Sequence, residues 1–233
     1  MSSDDHGLDD KGLDDSALED GALDNEGLAN LAGEVLSRES AAIAALVGTV
    51  ESSIVTVAHQ MIAVAGKVVT TGSGTSGIMA ERLAHLLSVC GTPAVYLPSM
   101  DALHGGMGAI TPSDLVVAIS KTGQSSELTS LVERLGRRGI HVVAVTESPD
   151  SPFATAASSV APLPPTPSDA DPGDMIAMAS TLAVGAWSDA VAVVTMSMRG
   201  HTLRDVVDGH PAGGVGARGH RSGDESAPVV RGA

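Results

Sequence analysis

The stretch LVVAISKTGQSSE, residues 115–127, decides the architecture. Its first five residues, LVVAI, are an unbroken apolar run with three β-branched members, which suits a strand buried on both faces. The run passes directly into a loop with four hydroxyls in seven residues, and then into a helical pattern. A buried strand that ends in a polar loop and feeds a helix is the repeating unit of a parallel sheet with helices on both faces. The same unit precedes it at GKVVTTGSGTSG (residues 66–77) and follows it at HVVAVT (residues 141–146). The pattern predicts strands near 67–72, 94–97, 114–119, 141–146 and 158–161. It predicts helices near 76–90, 124–138 and 173–199, and two Ala-rich helices near 31–48 and 51–65 ahead of the first strand. The expected fold is an α/β three-layer αβα sandwich around a five-stranded parallel sheet, preceded by N-terminal helices.

The composition fits one such domain. The chain has 233 residues, of which 43% are apolar and only 1% aromatic. The core must therefore be built from Ala, Val, Leu, Ile and Met. A net charge of −15 argues against a nucleic-acid partner, which needs a basic footprint, and against an acidic membrane surface. No uninterrupted apolar run reaches the roughly 20 residues of a membrane span. The start, MSSDDHGLDD, carries no basic-plus-apolar leader. A single cysteine, Cys90, excludes an internal disulfide framework and fits a reducing, cytoplasmic setting. Residues 1–30 hold ten acids and one lysine, and so account for −9 of the charge. Their leucines recur every five residues, a period that matches neither one helix face nor a strand. They read as a disordered acidic arm, or as a docking segment. Residues 31–210 then form the domain, and the Gly/Pro-rich residues 211–233 a loose tail.

In such folds ligands sit at the carboxyl ends of strands, so the chemistry is sought in the loops that follow them. The first loop, Gly72-Ser73-Gly74-Thr75-Ser76-Gly77, matches G-x-G-x-x-G. Three readings compete: a dinucleotide fingerprint, a turn that only packs helix on strand, and a phosphate cradle using Gly74, Thr75, Ser76 and the helix amides. The loop of residues 120–127 favours the last. Ser120, Thr122, Ser125 and Ser126 can donate to a phosphate at a second helix N-terminus, although serine is also an ordinary N-cap. Glu127, in the first turn, is either a helix-dipole partner or a carboxylate beside a bound sugar phosphate. His104, followed by two glycines, can move protons between oxygens or merely bond backbone at a helix end. His210 lies in DGHPAGG and on its own reads as a tail histidine. No tight His/Cys spacing supports a metal, and no cofactor is expected.

Taken together, GKVVTTGSGTSG, GTPAVYLPSMDALHGGMGAITPSDLVVAIS, SKTGQSSE and GHPAGG resemble the sugar isomerase (SIS) domain family, and within it the arabinose-5-phosphate isomerases. The resemblance covers roughly residues 34–218. It implies the SIS, flavodoxin-like form of the fold and aldose–ketose isomerisation of a pentose phosphate without a redox cofactor. It also implies a homotetramer with active sites between subunits. It matches the family's serine-loop glutamate to Glu127, its loop histidine to His104 and its HPGG-like histidine to His210. The acid before the last long helix falls on Asp169, with Asp171 as neighbour. The family's first-loop lysine position is Thr75, and Lys121 stands in the other loop. The rivals are an isomerase of another phosphosugar and, from the same family, a phosphosugar-binding regulator without turnover.

Overall fold

The structure is a computed structural model that describes residues 23–210 and 212–214. Most of the acidic arm and the tail beyond Gly214 lie outside the described residues. The chain divides at Ser37 into two units. The described part of the first is the start of helix α1 (Asn25–Ala44). That helix begins within the stretch read as arm, six residues before the expected start at 31.

The second unit holds α2 (Glu51–Ala63) and then the sheet, with strands β1 (Val68–Gly72), β2 (Ala94–Tyr96), β3 (Leu115–Ile119), β4 (His141–Thr146) and β5 (Ser159–Pro162). All pairings are parallel and the order is β2-β1-β3-β4-β5. The intervening helices are α3 (Thr75–Val89), α4 (Ser99–Leu103), α5 (Ser126–Arg137) and α6 (Pro152–Ala156), followed by α7 (Ala179–Arg199) and α8 (Leu203–Gly209). The expected five-stranded parallel sandwich is therefore present, each strand within a residue or so of its expected bounds. Three short helices, α4, α6 and α8, have no counterpart in the sequence reading. The last long helix starts at Ala179, not 173, because Gly173 and Asp174 sit at positive φ and break the helical run.

Side chains alternate across the sheet with period two. Leu115, Val117, Ile119, Val143 and Val145 face one layer, where Ile54, Val57 and Met61 of α2, Leu83 and Leu87 of α3, and Trp187 and Val191 of α7 close the core. Val116, Ala118, Val142 and Ala144 face the other, where Leu128, Leu131, Val132 and Leu135 of α5 and Phe153 of α6 pack. The α5 set follows i, i+3, i+4, i+7, the spacing of one apolar helix stripe. Helix α7 is long and apolar enough to cross a membrane, which the expectation of no such segment did not foresee; half of its apolar window is buried inside this core. Trp187 is fully buried, and its indole Nε1 has no hydrogen-bond partner among the described residues.

One charged cluster fixes the amino-terminal ends of β1 and β3. The buried Asp114 accepts from the Lys67 N–H (2.9 Å), the Thr111 N–H (2.8 Å), the Thr111 hydroxyl (2.9 Å) and the Lys67 ammonium (3.1 Å). Burial alone would raise its pKa. The four donors more than reverse that and hold it at about 2.

Candidate active site at the switch point

In a sheet of this order the chain reverses direction of growth between β1 and β3, and the crevice opens at their carboxyl ends. The two hydroxyl-bearing loops meet there. The first is drawn tight by its glycines. A Cβ on Gly77 would lie 2.9 Å from both the Gly72 carbonyl oxygen and the Tyr96 hydroxyl, so helix α3 sits directly on the strand end. Gly74, at φ +57°, is the N-cap of α3, and among the described residues no side chain caps that helix. The second loop is more self-contained. The Ser120 hydroxyl accepts from the Gly123 N–H (3.2 Å), and Ser125 caps α5 by accepting from the Leu128 N–H (3.4 Å). Gly123, at φ +63°, leaves no room for a side chain: a Cβ there would collide with Ser151, the N-cap of α6. Thr122 and Ser126 are exposed.

Glu127 joins the loops. The Ser73 hydroxyl donates to its Oε1 (3.1 Å), and Ser73 lies 2.9 Å from the buried Ser99 hydroxyl. A serine hydroxyl has one proton. With Ser73 donating to the carboxylate, Ser99 donates to Ser73, giving a relay from α4 through the first loop to α5. The Ser125 hydroxyl, Glu127's own backbone N–H and Ser73 hold the Glu127 carboxyl below the usual range, with the small burial effect acting the other way. Glu127 is thus ionised at neutral pH and reaches across the crevice. Ser73 and Ser99 escaped the sequence reading: the first is a variable position in the glycine pattern, the second a lone serine after Pro98.

Beside this relay lies a cavity of about 40 Å³, lined among others by Thr75, Ser76, Lys121, Glu147, Ser180 and Thr181. The Lys121 ammonium contacts Asp171 (2.9 Å) and Asp174 (3.1 Å). Asp171 is buried and also accepts from the Ser180 hydroxyl and from the Met178 (2.8 Å) and Ser180 (3.2 Å) N–H groups. Burial opposes its charge, but Ser180, Lys121 and the two N–H groups hold its pKa at about 2. Asp169 lies outside the lining of this cavity. Its carboxylate is 67% exposed and faces Arg38 at 3.5 Å, whereas Asp171, two residues on, is the buried acid bonded to Lys121, and the acid in the cavity lining is Glu147. The chain enters this region through Pro164, Pro165 and Pro167, where no periodicity marks which side chain turns inward.

Neither candidate histidine lines this cavity. His104 is exposed at the end of α4, where its N–H donates to the Met100 carbonyl (2.9 Å), and Gly105 follows at φ +116°. His210 ends α8, and its ring stands edge-on to His85 with centroids 6.4 Å apart. His85 lies nine residues beyond Ser76 on α3, about 14 Å along the axis at 1.5 Å per residue. One chain therefore gathers Thr75, Ser76, Lys121 and Glu127 at the switch point, and leaves His210 at the other end of α3. Among the described residues no cluster of three His, Cys, Asp or Glu is placed to hold a metal ion.

These features define a doubly wound α/β domain whose switch point presents hydroxyls, an uncapped helix end, an ionised carboxylate and one lysine. The SIS domain model matches residues 61–187, and the chain belongs to the SIS domain family. It is similar to the arabinose 5-phosphate isomerase KdsD of Shigella flexneri, 34% identical over 185 residues, which are 79% of this chain and 56% of that protein. The chain thus spans little more than half the length of the curated relatives it matches. A crystal structure of a Listeria monocytogenes protein assigned as a sugar-phosphate isomerase superimposes with a TM-score of 0.77 at 33% identity, covering 82% of this chain and all of that one. An Escherichia coli structure in complex with arabinose 5-phosphate gives a TM-score of 0.77 at 27% identity, covering 81% and 100%.

Proposed function

We propose that this chain is a phosphosugar aldose–ketose isomerase working through an enediol, and that its substrate pair is D-arabinose 5-phosphate and D-ribulose 5-phosphate. The observation that carries the reading is Glu127, an ionised carboxylate suspended by Ser73 between two loops suited to an anion. The named activity of the KdsD relatives and the sugar-phosphate complex of the Escherichia coli neighbour support the choice of sugar.

The phosphate seats on the open start of α3, at Gly74, Thr75 and Ser76, and on the donors of the second loop, Ser120, Thr122, Ser125 and Ser126. Anchored there, it supplies remote binding energy that holds the carbonyl carbon at the carboxylate. Starting from the ketose, a base takes the C1 proton, the enediol forms, and the proton returns to C2. The C1 hydroxyl proton passes to the C2 oxygen, a transfer assigned to His104. Glu127 serves as the base within the chain. Its ordinary basicity is low, and displacement of water by the sugar raises it. His210 reaches such a centre only from another copy, so the complete site is shared between subunits of a homo-oligomer, here taken as a tetramer.

Proton NMR in D₂O with D-ribulose 5-phosphate tests the reaction. Arabinose 5-phosphate carrying deuterium at C2 is the expected product. A folded protein that binds the sugar but gives neither product nor exchange would instead be a non-catalytic phosphosugar-binding regulator. Mixing E127Q with H210N subunits tests the shared site: hybrids regain activity if each site draws Glu127 and His210 from different chains, and stay inactive if not.

A further inference from the structure

We infer that Lys121 is the cation that receives the substrate's anionic group, and that Asp174 is a built-in stand-in which the substrate displaces. The inference rests on the proposed binding of a sugar phosphate at the switch point, and adds the residue and the exchange by which the site fills.

Lys121 is the one cation among the residues lining the cavity with Thr75 and Ser76. Its side chain is 24% exposed, and its two carboxylate partners differ sharply. Asp171 is fixed by three donors besides the lysine and stays as the permanent counter-ion. It balances the charge on Lys121 and sets where the ammonium points. Asp174 is 68% exposed and touches the ammonium at 3.1 Å. It is the only described non-glycine residue at positive φ (+53°), a conformation that costs a side-chain-bearing residue energy. The lysine thus has one partner it cannot lose and one held by an exposed contact in a solvent-facing turn.

The space agrees with this. A cavity of about 40 Å³ holds water but not a sugar phosphate, since small-molecule pockets run to roughly 300 Å³ or more. Ala177 forms part of its wall, and the preceding residues leave Met175 85% and Ile176 54% exposed, so the turn is not anchored by core packing. An anion arriving at Lys121 competes with the Asp174 carboxylate for the same ammonium. Releasing Asp174 frees the turn that leads into Ala177 at the cavity wall. The outgoing carboxylate and the incoming phosphate are chemically alike, so the ammonium keeps an oxygen partner throughout.

The test is calorimetric binding of D-ribulose 5-phosphate, and of inorganic phosphate, to the full chain and its variants. Asp174→Asn tolerates the positive φ and removes the competing charge. It is expected to tighten binding about two- to five-fold, the scale of an exposed ion pair. Lys121→Met is expected to weaken binding by about ten- to hundred-fold, the scale of a lost charged hydrogen bond. Because that variant strands Asp171, the double variant K121M/D171N is measured beside it, with the same expected loss. Unchanged or weaker binding in D174N overturns the inference, as does unchanged binding in folded K121M/D171N. Tightening in D174N without any turnover in the wild type upholds the inference and sinks the isomerase reading. Turnover with an unaltered KM in D174N does the reverse. A wild type that binds neither probe defeats both.

Discussion

Strand β3 has a lysine–aspartate pair at each end, and the two pairs are built differently. At its amino end Asp114 faces Lys67, and every donor around the carboxylate comes from the same corner of the fold: two N–H groups, one hydroxyl and one ammonium. Lys67 completes its coordination on the Ala109 carbonyl (3.2 Å). One positive charge meets one negative charge, and the cluster is closed. At its carboxyl end Lys121 faces a buried aspartate, an exposed aspartate and, at longer range, Glu147. Burial works against the charge of Lys121, and these carboxylates outweigh it, keeping its pKa above the ordinary value. A closed pair is a fastener, whereas a pair with surplus partners has contacts to exchange. The same ion types at opposite ends of one strand serve structure in one case and ligand exchange in the other.

Variants at the two ends should separate accordingly. The largest effect is expected at the carboxyl end: Glu127→Gln should cut turnover by about 10²- to 10⁴-fold, the usual worth of general acid–base catalysis, while leaving sugar-phosphate affinity within a few-fold. Steady-state kinetics beside calorimetry reads both, and a joint loss of affinity would make Glu127 a binding group. At the amino end, Asp114→Asn should lower stability by about 2 kcal/mol at neutral pH and leave binding unchanged. The sign follows from a folded pKa of about 2 against 3.8 for the free group. The contribution is complete above pH 4 and is lost as pH falls toward 2. Urea midpoints of wild type and variant should therefore converge across that window; midpoints that stay apart at pH 2 would show that the carboxylate charge is not what matters. Smaller still, Ser125→Ala removes the cap of α5 and should cost about 1 kcal/mol of stability. Ser76→Ala, on the uncapped α3, should weaken binding but leave the melting temperature within a degree or two. The smallest effect is at the relay: Ser73→Ala removes one donor from Glu127, so its pKa rises toward the ordinary value. The acidic limb of the kcat/KM profile should then move to higher pH, by less than one unit. A shift to lower pH would contradict the donor direction from Ser99 through Ser73.

Much of this was legible in the chain. The runs LVVAIS and HVVAVT announce buried parallel strands because β-branched residues without polar interruption fit no half-exposed element. The glycine and serine loops mark where helices begin at the sheet's carboxyl edge. What escaped has physical causes. The short α4, α6 and α8 have too few residues to display a helical period. Asp169 and Asp171 are two residues apart in a proline-rich stretch and share one chemistry, so the pattern does not tell which of the pair is buried; in the structure it is Asp171. Ser73 and Ser99 are separated by 26 positions, and nothing in either neighbourhood announces that their hydroxyls meet. The separation of His210 from Glu127 within one chain follows from the length of α3, which no motif encodes.

A chain so poor in aromatics makes its own spectroscopy simple. All intrinsic tryptophan emission comes from Trp187, sealed between α2, α3 and the sheet with its indole Nε1 unpaired among the described residues. Its light reports the dryness of that one layer and nothing of the layer beneath α5, whose sole ring, Phe153, is optically silent at the same wavelengths. A red shift that runs ahead of the loss of helical dichroism would show that the α2–α3–α7 face loosens first.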